Sequence, residues 1–294
     1  MDTEPKKKIY GLLGYPVKHS FSPAMHTEAF RVLNINAEYK PFEIKPEELD
    51  GFLHSLREQN IYGLNVTVPY KEQILDFVKF DKSSIPASYA ERIGAVNTMA
   101  FKDNSWYGFN TDIAGFMQHL VVDNIDNIAV IGKRAAILGA GGAGRAVAYA
   151  LAELKAAEIV IFDLDIKKAE NVVKMIKDKC KNSNNIKVAV SNADLNIRDK
   201  DIFVNATMVG MKETDPCVIE EDMLHKNLFV YDLIYNPVET KLIKLAKKAG
   251  LKYANGLKML LYQGMLSFEI WMGERAPQEV MWQALQKELV RCQT

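Results

Sequence analysis

Apolar and polar positions alternate along this chain with two periods, and the switches between them mark the elements. Lys8–Leu13 is a short apolar run ending at Gly14, which predicts a buried strand after a polar, basic stretch, Met1–Lys8, expected to be frayed. Residues Pro23–Leu33 then repeat at helical spacing, with Pro23 suited to a first helical position and Ser22 to an N-cap. Ala37–Glu43 alternates like a strand. Lys45–Gln59 returns to helical spacing through Leu49, Phe52, Leu53 and Leu56, and Tyr62–Val68 predicts a strand closed by Pro69. Ala95–Phe101 and Ser105–Phe109 read as a hairpin turning at Lys102-Asp103-Asn104.

The second half repeats the strand–helix theme. Ala135–Leu138 is an apolar strand, Arg145–Leu154 a helix, and Glu158–Phe162 a second strand ending at Asp163. Further strands are predicted at Ile186–Val190, Ile202–Asn205 and Phe229–Asp232 with helices between, and two helices, about Leu257–Met272 and Pro277–Cys292, close the chain. Strand and helix in alternation predict α/β architecture with mostly parallel sheets covered on both faces. No fixed-period repeat or low-complexity segment interrupts it.

Composition narrows the class of function. At 294 residues there is room for two cores. The 37 basic residues balance 37 acidic ones, so there is no electrostatic case for nucleic acid or an anionic membrane. No apolar run approaches the roughly 20 residues of a membrane span. Cys180, Cys217 and Cys292 are too scattered for a disulfide framework or a zinc site, so a reduced, cytoplasmic compartment and no metal are expected.

The strongest local signal is Gly139-Ala140-Gly141-Gly142-Ala143-Gly144, lying between a strand and a helix. In that context the first glycine permits the tight turn, Gly141 lets backbone approach a pyrophosphate, and Gly144 lets the helix pack on the strand. The helix N-terminus then offers free N–H groups to the phosphates. Asp163 stands 24 residues after Gly139, where a carboxylate accepts from a ribose 2′-hydroxyl and repels a 2′-phosphate. Asp165 adds a second negative charge, and Lys167 and Lys168 are basic groups near enough to offset it in part. NAD is therefore expected, with NADP use left open.

The first hundred residues carry small polar clusters that packing alone does not call for. Ser20 and Ser22 precede a helix N-terminus, a favourable place for a carboxylate. Asn65 and Thr67 alternate on one face of a strand, and Lys71 follows its C-terminal end, where α/β sheets hold ligands. Asn97, in Gly94-Ala95-Val96-Asn97-Thr98, and Asp112, in Gly108-Phe109-Asn110-Thr111-Asp112, add an amide and a carboxylate. With Asn205-Ala206-Thr207-x-x-Gly210-Met211, Asp232-Leu233-x-Tyr235-x-Pro237 and Gly256-Leu257-x-Met259-Leu260-x-x-Gln263, this ordered series resembles the shikimate dehydrogenase family over nearly the whole chain.

The resemblance implies a two-domain enzyme that reversibly oxidises the C3 hydroxyl of shikimate to 3-dehydroshikimate. It assigns Lys71 and Asp112 to catalysis, and chemistry asks for such groups because the hydroxyl must lose a proton as hydride leaves. It further implies that Ser20 and Ser22 hold the substrate carboxylate, and that Asn65, Thr67, Asn97, Asp112, Tyr235 and Gln263 hold the ring hydroxyls or carboxylate. Thr207 and Gly256 join the glycine turn, Asp163, Asp165 and Lys168 on the cofactor side.

Two positions depart from the family pattern. Asp163-Leu164-Asp165 replaces an asparagine–arginine–threonine stretch whose arginine grips the NADP 2′-phosphate, and Lys258 stands where many relatives have glycine. The first change resembles NAD-using quinate/shikimate dehydrogenases of catabolism, whereas Ser20 with Ser22 resembles the shikimate-preferring pattern. A substrate domain over residues 1–112, completed by 255–294, and a Rossmann dinucleotide-binding domain over 113–254 are expected, as a monomer or homodimer. The alternatives are a quinate/shikimate dehydrogenase and a non-catalytic sensor of dinucleotide or shikimate.

Overall fold

The computed structural model describes residues 6–121, 129–180 and 185–292, so most of the N-terminal stretch expected to fray lies outside the described residues. The chain divides into two compact units, one built from Met1–Thr111 with Gln263–Thr294 and one from Asp112–Tyr262.

The first unit holds strands β1 (Lys8–Gly14), β2 (Ala37–Glu43), β3 (Ile61–Val66), β4 (Thr98–Lys102) and β5 (Ser105–Phe109) in the order β2-β1-β3-β4-β5. The β2-β1-β3 part is parallel, and the β4–β5 hairpin continues the sheet antiparallel. Asp103 and Asn104 take positive φ at the hairpin tip, a conformation that asparagine and aspartate tolerate. Helices α1 (Ser22–Val32), α2 (Leu49–Ser55) and α3 (Ile85–Ile93) belong here too. The helix predicted over Lys45–Gln59 is shorter: Pro46–Glu48 form a 3₁₀ turn before α2, because Pro46 suits an entry and Gly51 weakens a short helix. Leu56, Ile61, Leu64, Tyr70 and Ile74 are buried together on the α2 side of the sheet. The reading of Ser22 as N-cap is corrected. Phe21 occupies that position without a side-chain cap, Ser22 is the first helical residue, and its N–H is accepted by the Ser20 hydroxyl at 3.2 Å.

In the second unit, helix α4 (Asp112–Val121) leads to β6 (Arg134–Leu138), α5 (Gly142–Glu153), β7 (Glu158–Phe162), α6 (Ile166–Lys179) and β8 (Ile186–Val188). Strands β9 (Ile202–Asn205) and β10 (Phe229–Asp232), helix α7 (Lys241–Lys248) and strand β11 (Lys252–Asn255) complete a six-stranded sheet. It is parallel throughout, in the order β11-β10-β9-β6-β7-β8. Its central strands are buried on both faces, which is why they read as unbroken apolar runs.

The last two helices are α8 (Leu257–Met272) and α9 (Gln278–Arg291), and α9 packs on α1. The chain was expected to rejoin the first unit at residue 255; it does so at Gln263, within α8. The delay arises because β11 adds to the β10 edge and holds the start of α8 in the second unit.

Candidate active site

In each unit several of the expected site residues stand where strand order reverses. In the first sheet this is between β1 and β3, whose C-terminal ends are tied by Thr67 N–H donating to Leu13 O (2.8 Å) and Tyr15 N–H to Val68 O (2.9 Å). An open α/β sheet leaves a crevice at such a point. Ser20, Thr67 and Lys71 stand on the two loops that leave these strands. The Lys71 carbonyl accepts the Val96 N–H at 2.7 Å, which fixes the lysine backbone beside the approach to Asn97.

A buried amide–hydroxyl network lies against these loops. Asn65 Oδ1 accepts from the Tyr39 hydroxyl (2.8 Å), and its Nδ2 donates to Ser267 Oγ (2.8 Å) and Thr98 Oγ1 (3.2 Å). Asn97 Oδ1 accepts the Thr111 N–H (2.8 Å), while its Nδ2 donates to Thr111 Oγ1 (2.9 Å) and Gln263 Oε1 (3.5 Å). Ser267 Oγ donates to the Gln263 carbonyl at 2.9 Å. Buried amides are costly unless bonded, so these contacts orient both amide planes. The structure thus brings Asn65, Asn97 and Gln263 into one network. Ser20 and Ser22 form a second, local pair. Asp112 opens α4 and is buried, whereas Tyr235 is half-buried in the second unit.

Tyr39 and Ser267 were not singled out from the sequence. The signal for Ser267 was its place one helical turn after Gln263, which puts both on one face. Tyr39 was hidden as an inward position of an alternating strand. Neither looks like chemistry until Asn65 is seen between them.

In the second sheet the reversal lies between β6 and β9. Gly139 takes φ +102°, and a Cβ there would sit 2.9 Å from the Ala206 carbonyl and from Thr207 Cγ2. A Cβ on Gly144 would meet Gly139 O at 2.0 Å, so helix and turn close only with glycine at both positions. Gly141 opens onto free space, and no side chain caps the start of α5. That combination, uncapped helical N–H groups beside an unfilled Cβ position, fits a dinucleotide pyrophosphate.

Asp163 does more than the sequence implied. Its Oδ2 accepts the Ala140 N–H at 2.7 Å and its Oδ1 the Asp165 N–H at 2.9 Å, so the carboxylate braces the glycine turn while keeping lone pairs for a ribose. Leu164 beside it is 93% exposed, and Lys168 is exposed. Gly256 has a packing role, since a Cβ there would lie 1.9 Å from the Leu233 carbonyl. Among the described residues no cluster of three or more His, Cys, Asp or Glu could hold a metal, and no helix is long and apolar enough to cross a membrane.

A Rossmann sheet with an open glycine turn, in a chain whose other α/β unit carries an amide-rich polar network, defines the class: a dinucleotide-dependent oxidoreductase of small polar molecules. Comparison with known proteins supplies the family. The shikimate dehydrogenase substrate-binding domain matches residues 12–99, the shikimate/quinate 5-dehydrogenase domain residues 119–239, and the shikimate 5′-dehydrogenase C-terminal domain residues 256–286. A shikimate dehydrogenase (NADP(+)) of Methanopyrus kandleri is 40% identical over 293 residues, 98% of either chain. A crystal structure of a shikimate dehydrogenase in complex with NADP+ superposes with TM-score 0.84 at 37% identity, covering 97% of this chain and 96% of that one. The Listeria monocytogenes shikimate 5-dehydrogenase, in complex with shikimate and NAD, gives TM-score 0.81 at 34% identity, covering 95% and 96%. The chain belongs to the shikimate dehydrogenase family and is an oxidoreductase that uses a nicotinamide dinucleotide.

Proposed function

We propose that this enzyme interconverts shikimate and 3-dehydroshikimate with NAD as the preferred dinucleotide, in the biosynthetic route to chorismate and the aromatic amino acids. The observation that carries the cofactor preference is Asp163, whose carboxylate sits at the end of β7 and is held there by the Ala140 N–H at 2.7 Å. A 2′-phosphate brought to that position meets a fixed negative charge, and Leu164 offers it no cation. The M. kandleri relative is named for NADP(+), and the Listeria enzyme was crystallised with NAD, so both dinucleotides occur among similar proteins.

When bound, the dinucleotide supplies the hydride acceptor; everything else falls to the chain. The uncapped start of α5 and the Gly139–Gly144 turn hold the pyrophosphate, while Thr207 and Gly256 line the path beyond it. Ser20 and Ser22 take the substrate carboxylate. Asn65, Thr67, Asn97, Tyr235 and Gln263 take the hydroxyls or carboxylate, with Asn65 and Asn97 pre-oriented by their neighbours. Lys71 takes the C3 hydroxyl proton on oxidation and returns it on reduction, with Asp112 as its partner carboxylate. Two serines at the carboxylate end favour shikimate over quinate, whose extra C1 hydroxyl needs space and a partner. An unmet buried hydroxyl costs about 1–3 kcal/mol, roughly 10- to 100-fold in rate.

Initial rates with shikimate and quinate, each against NAD and NADP, test the reading. Shikimate with NAD should be fastest. A higher kcat/KM with NADP would remove the cofactor assignment, and an equal or higher rate with quinate would favour the catabolic quinate/shikimate reading.

A further inference from the structure

A chain of buried polar groups runs through the second unit to the loop that follows β9. Asp232, at the end of β10, is fully buried. Its Oδ2 accepts from the Thr240 hydroxyl at 2.6 Å, and its Oδ1 accepts from the Ile234 N–H (3.1 Å) and from Asn205 Nδ2 (3.0 Å). The Asn205 Nδ2 also donates to the Val209 carbonyl at 3.1 Å. The other end of that amide, Oδ1, accepts from the Thr207 hydroxyl (2.7 Å) and the Thr207 N–H (3.1 Å). Thr207 Oγ1 in turn accepts the Val209 N–H at 3.1 Å.

The chemistry of these groups gives the chain a direction. An ionised carboxylate only accepts, so the Asn205 NH₂ must face Asp232 and its oxygen must face Thr207. The single hydroxyl proton of Thr207 is then spent on Asn205. With one lone pair of Thr207 Oγ1 given to Val209, the other remains as an acceptor. The loop carrying it rests on the glycine turn, where Thr207 Cγ2 and the Ala206 carbonyl crowd Gly139, and Gly210 packs beside Thr240.

We propose that Asp232 is a positioning residue for the dinucleotide: through the Asn205 amide it fixes the Thr207 hydroxyl as an acceptor facing the cofactor. The inference rests on the assignment of Thr207 to the cofactor side. Neither Asp232 nor Asn205 touches the ligand in this scheme. Their effect passes through one amide orientation, which a neutral residue at 232 would no longer dictate.

The test is direct dinucleotide binding, NADH and NADPH each titrated by fluorescence, to the full-length enzyme and to Asp232→Asn, Thr207→Val and the double variant. Asp232→Asn should weaken the better-bound dinucleotide about 5- to 30-fold while the Kd for shikimate stays within twofold. The double variant should bind no worse than Thr207→Val alone, because the two changes remove one interaction. Should Asp232→Asn not fold, Asn205→Ser breaks the same chain one link on and carries the same expectation. Unchanged dinucleotide affinity in Asp232→Asn, or losses that add to those of Thr207→Val, overturns the positioning role. Normal binding by Thr207→Val with weakened binding by Asp232→Asn overturns it as well, and places the fault in the assignment of Thr207.

Discussion

Asn65 on β3 and Ser267 on α8, 202 residues apart in sequence, meet at 2.8 Å in the buried amide–hydroxyl network. The contact fixes which way the Asn65 amide points, because Tyr39 takes its oxygen from the other side. Ser267→Ala should therefore destabilise the protein by about 1–3 kcal/mol, the cost of leaving buried donors unmet. It should also raise the KM for shikimate more than it lowers kcat. Urea unfolding of Ser267→Ala, Asn65→Ala and the pair would show the losses to be less than additive; additive losses would mean the two side chains act independently.

Lys71 is the group on which turnover depends in the proposed chemistry. Lys71→Ala should lower kcat by about 10²- to 10⁴-fold with little change in the unfolding midpoint, since the side chain is only half-buried. Lys71→Arg should do no better, because a guanidinium does not release its proton near neutral pH. A Lys71→Ala enzyme with near-normal rates would take the lysine out of the reaction.

Two glycines of the same turn separate folding from binding. A methyl on Gly144 meets Gly139 O at 2.0 Å, so Gly144→Ala should cost both stability, about 1–3 kcal/mol, and dinucleotide affinity. A methyl on Gly141 meets nothing within 4 Å, so Gly141→Ala should fold normally. It should nevertheless bind dinucleotide at least tenfold more weakly (about 1.4 kcal/mol), because the methyl fills the pyrophosphate's approach. Calorimetric titration of Gly141→Ala with full affinity would move the pyrophosphate elsewhere.

Two buried groups oppose each other in acid. Burial pushes His26 down to about 3 from 6.5, and neither ring nitrogen has a hydrogen-bond partner among the described residues. The unfolded chain binds that proton first, so His26 removes stability as pH falls from about 6.5 toward 3, by up to about 1.4 kcal/mol per pH unit. Asp232 has the opposite sign. Burial raises it to about 6 from 3.8 against the pull of Thr240, Ile234 and Asn205, so its contribution grows as pH falls from about 6 to 3.8. Urea midpoints from pH 7 to 4 should fall more steeply in Asp232→Asn than in the parent, and least in His26→Phe. Parallel curves for all three would remove both assignments.

The sequence announced those parts whose physics is local. Strands Glu158–Phe162, Ile202–Asn205 and Phe229–Asp232 form where expected, because strands buried on both faces read as unbroken apolar runs. The glycine turn was legible because its conformational demands exclude other residues. Helix α3 was not: it is short, starts at Ile85-Pro86, exposes Ile85 and buries only Ala87, Ala90 and Ile93, so its apolar stripe is narrow. The Ser22 cap failed because the helix starts one residue earlier: Ser22 is already helical, and its own N–H is taken by the Ser20 hydroxyl. Tyr39, Ser267 and the Asp232–Asn205–Thr207 chain are products of packing between distant segments, which no single window of sequence contains.

The unit that opens the chain is finished only by residues 263–294, and α1 finds its packing partner in α9. During synthesis all residues of the dinucleotide unit, 112–262, are joined before the rest of α8 and the whole of α9 have been added. Asn65 then has no Ser267, and the apolar face of α1 stays uncovered until the C-terminal segment emerges from the ribosome. The half of the enzyme translated first is the half that matures last, and a released chain ending before Gln263 would carry every strand of the cofactor sheet while the substrate unit still lacked Ser267 and α9.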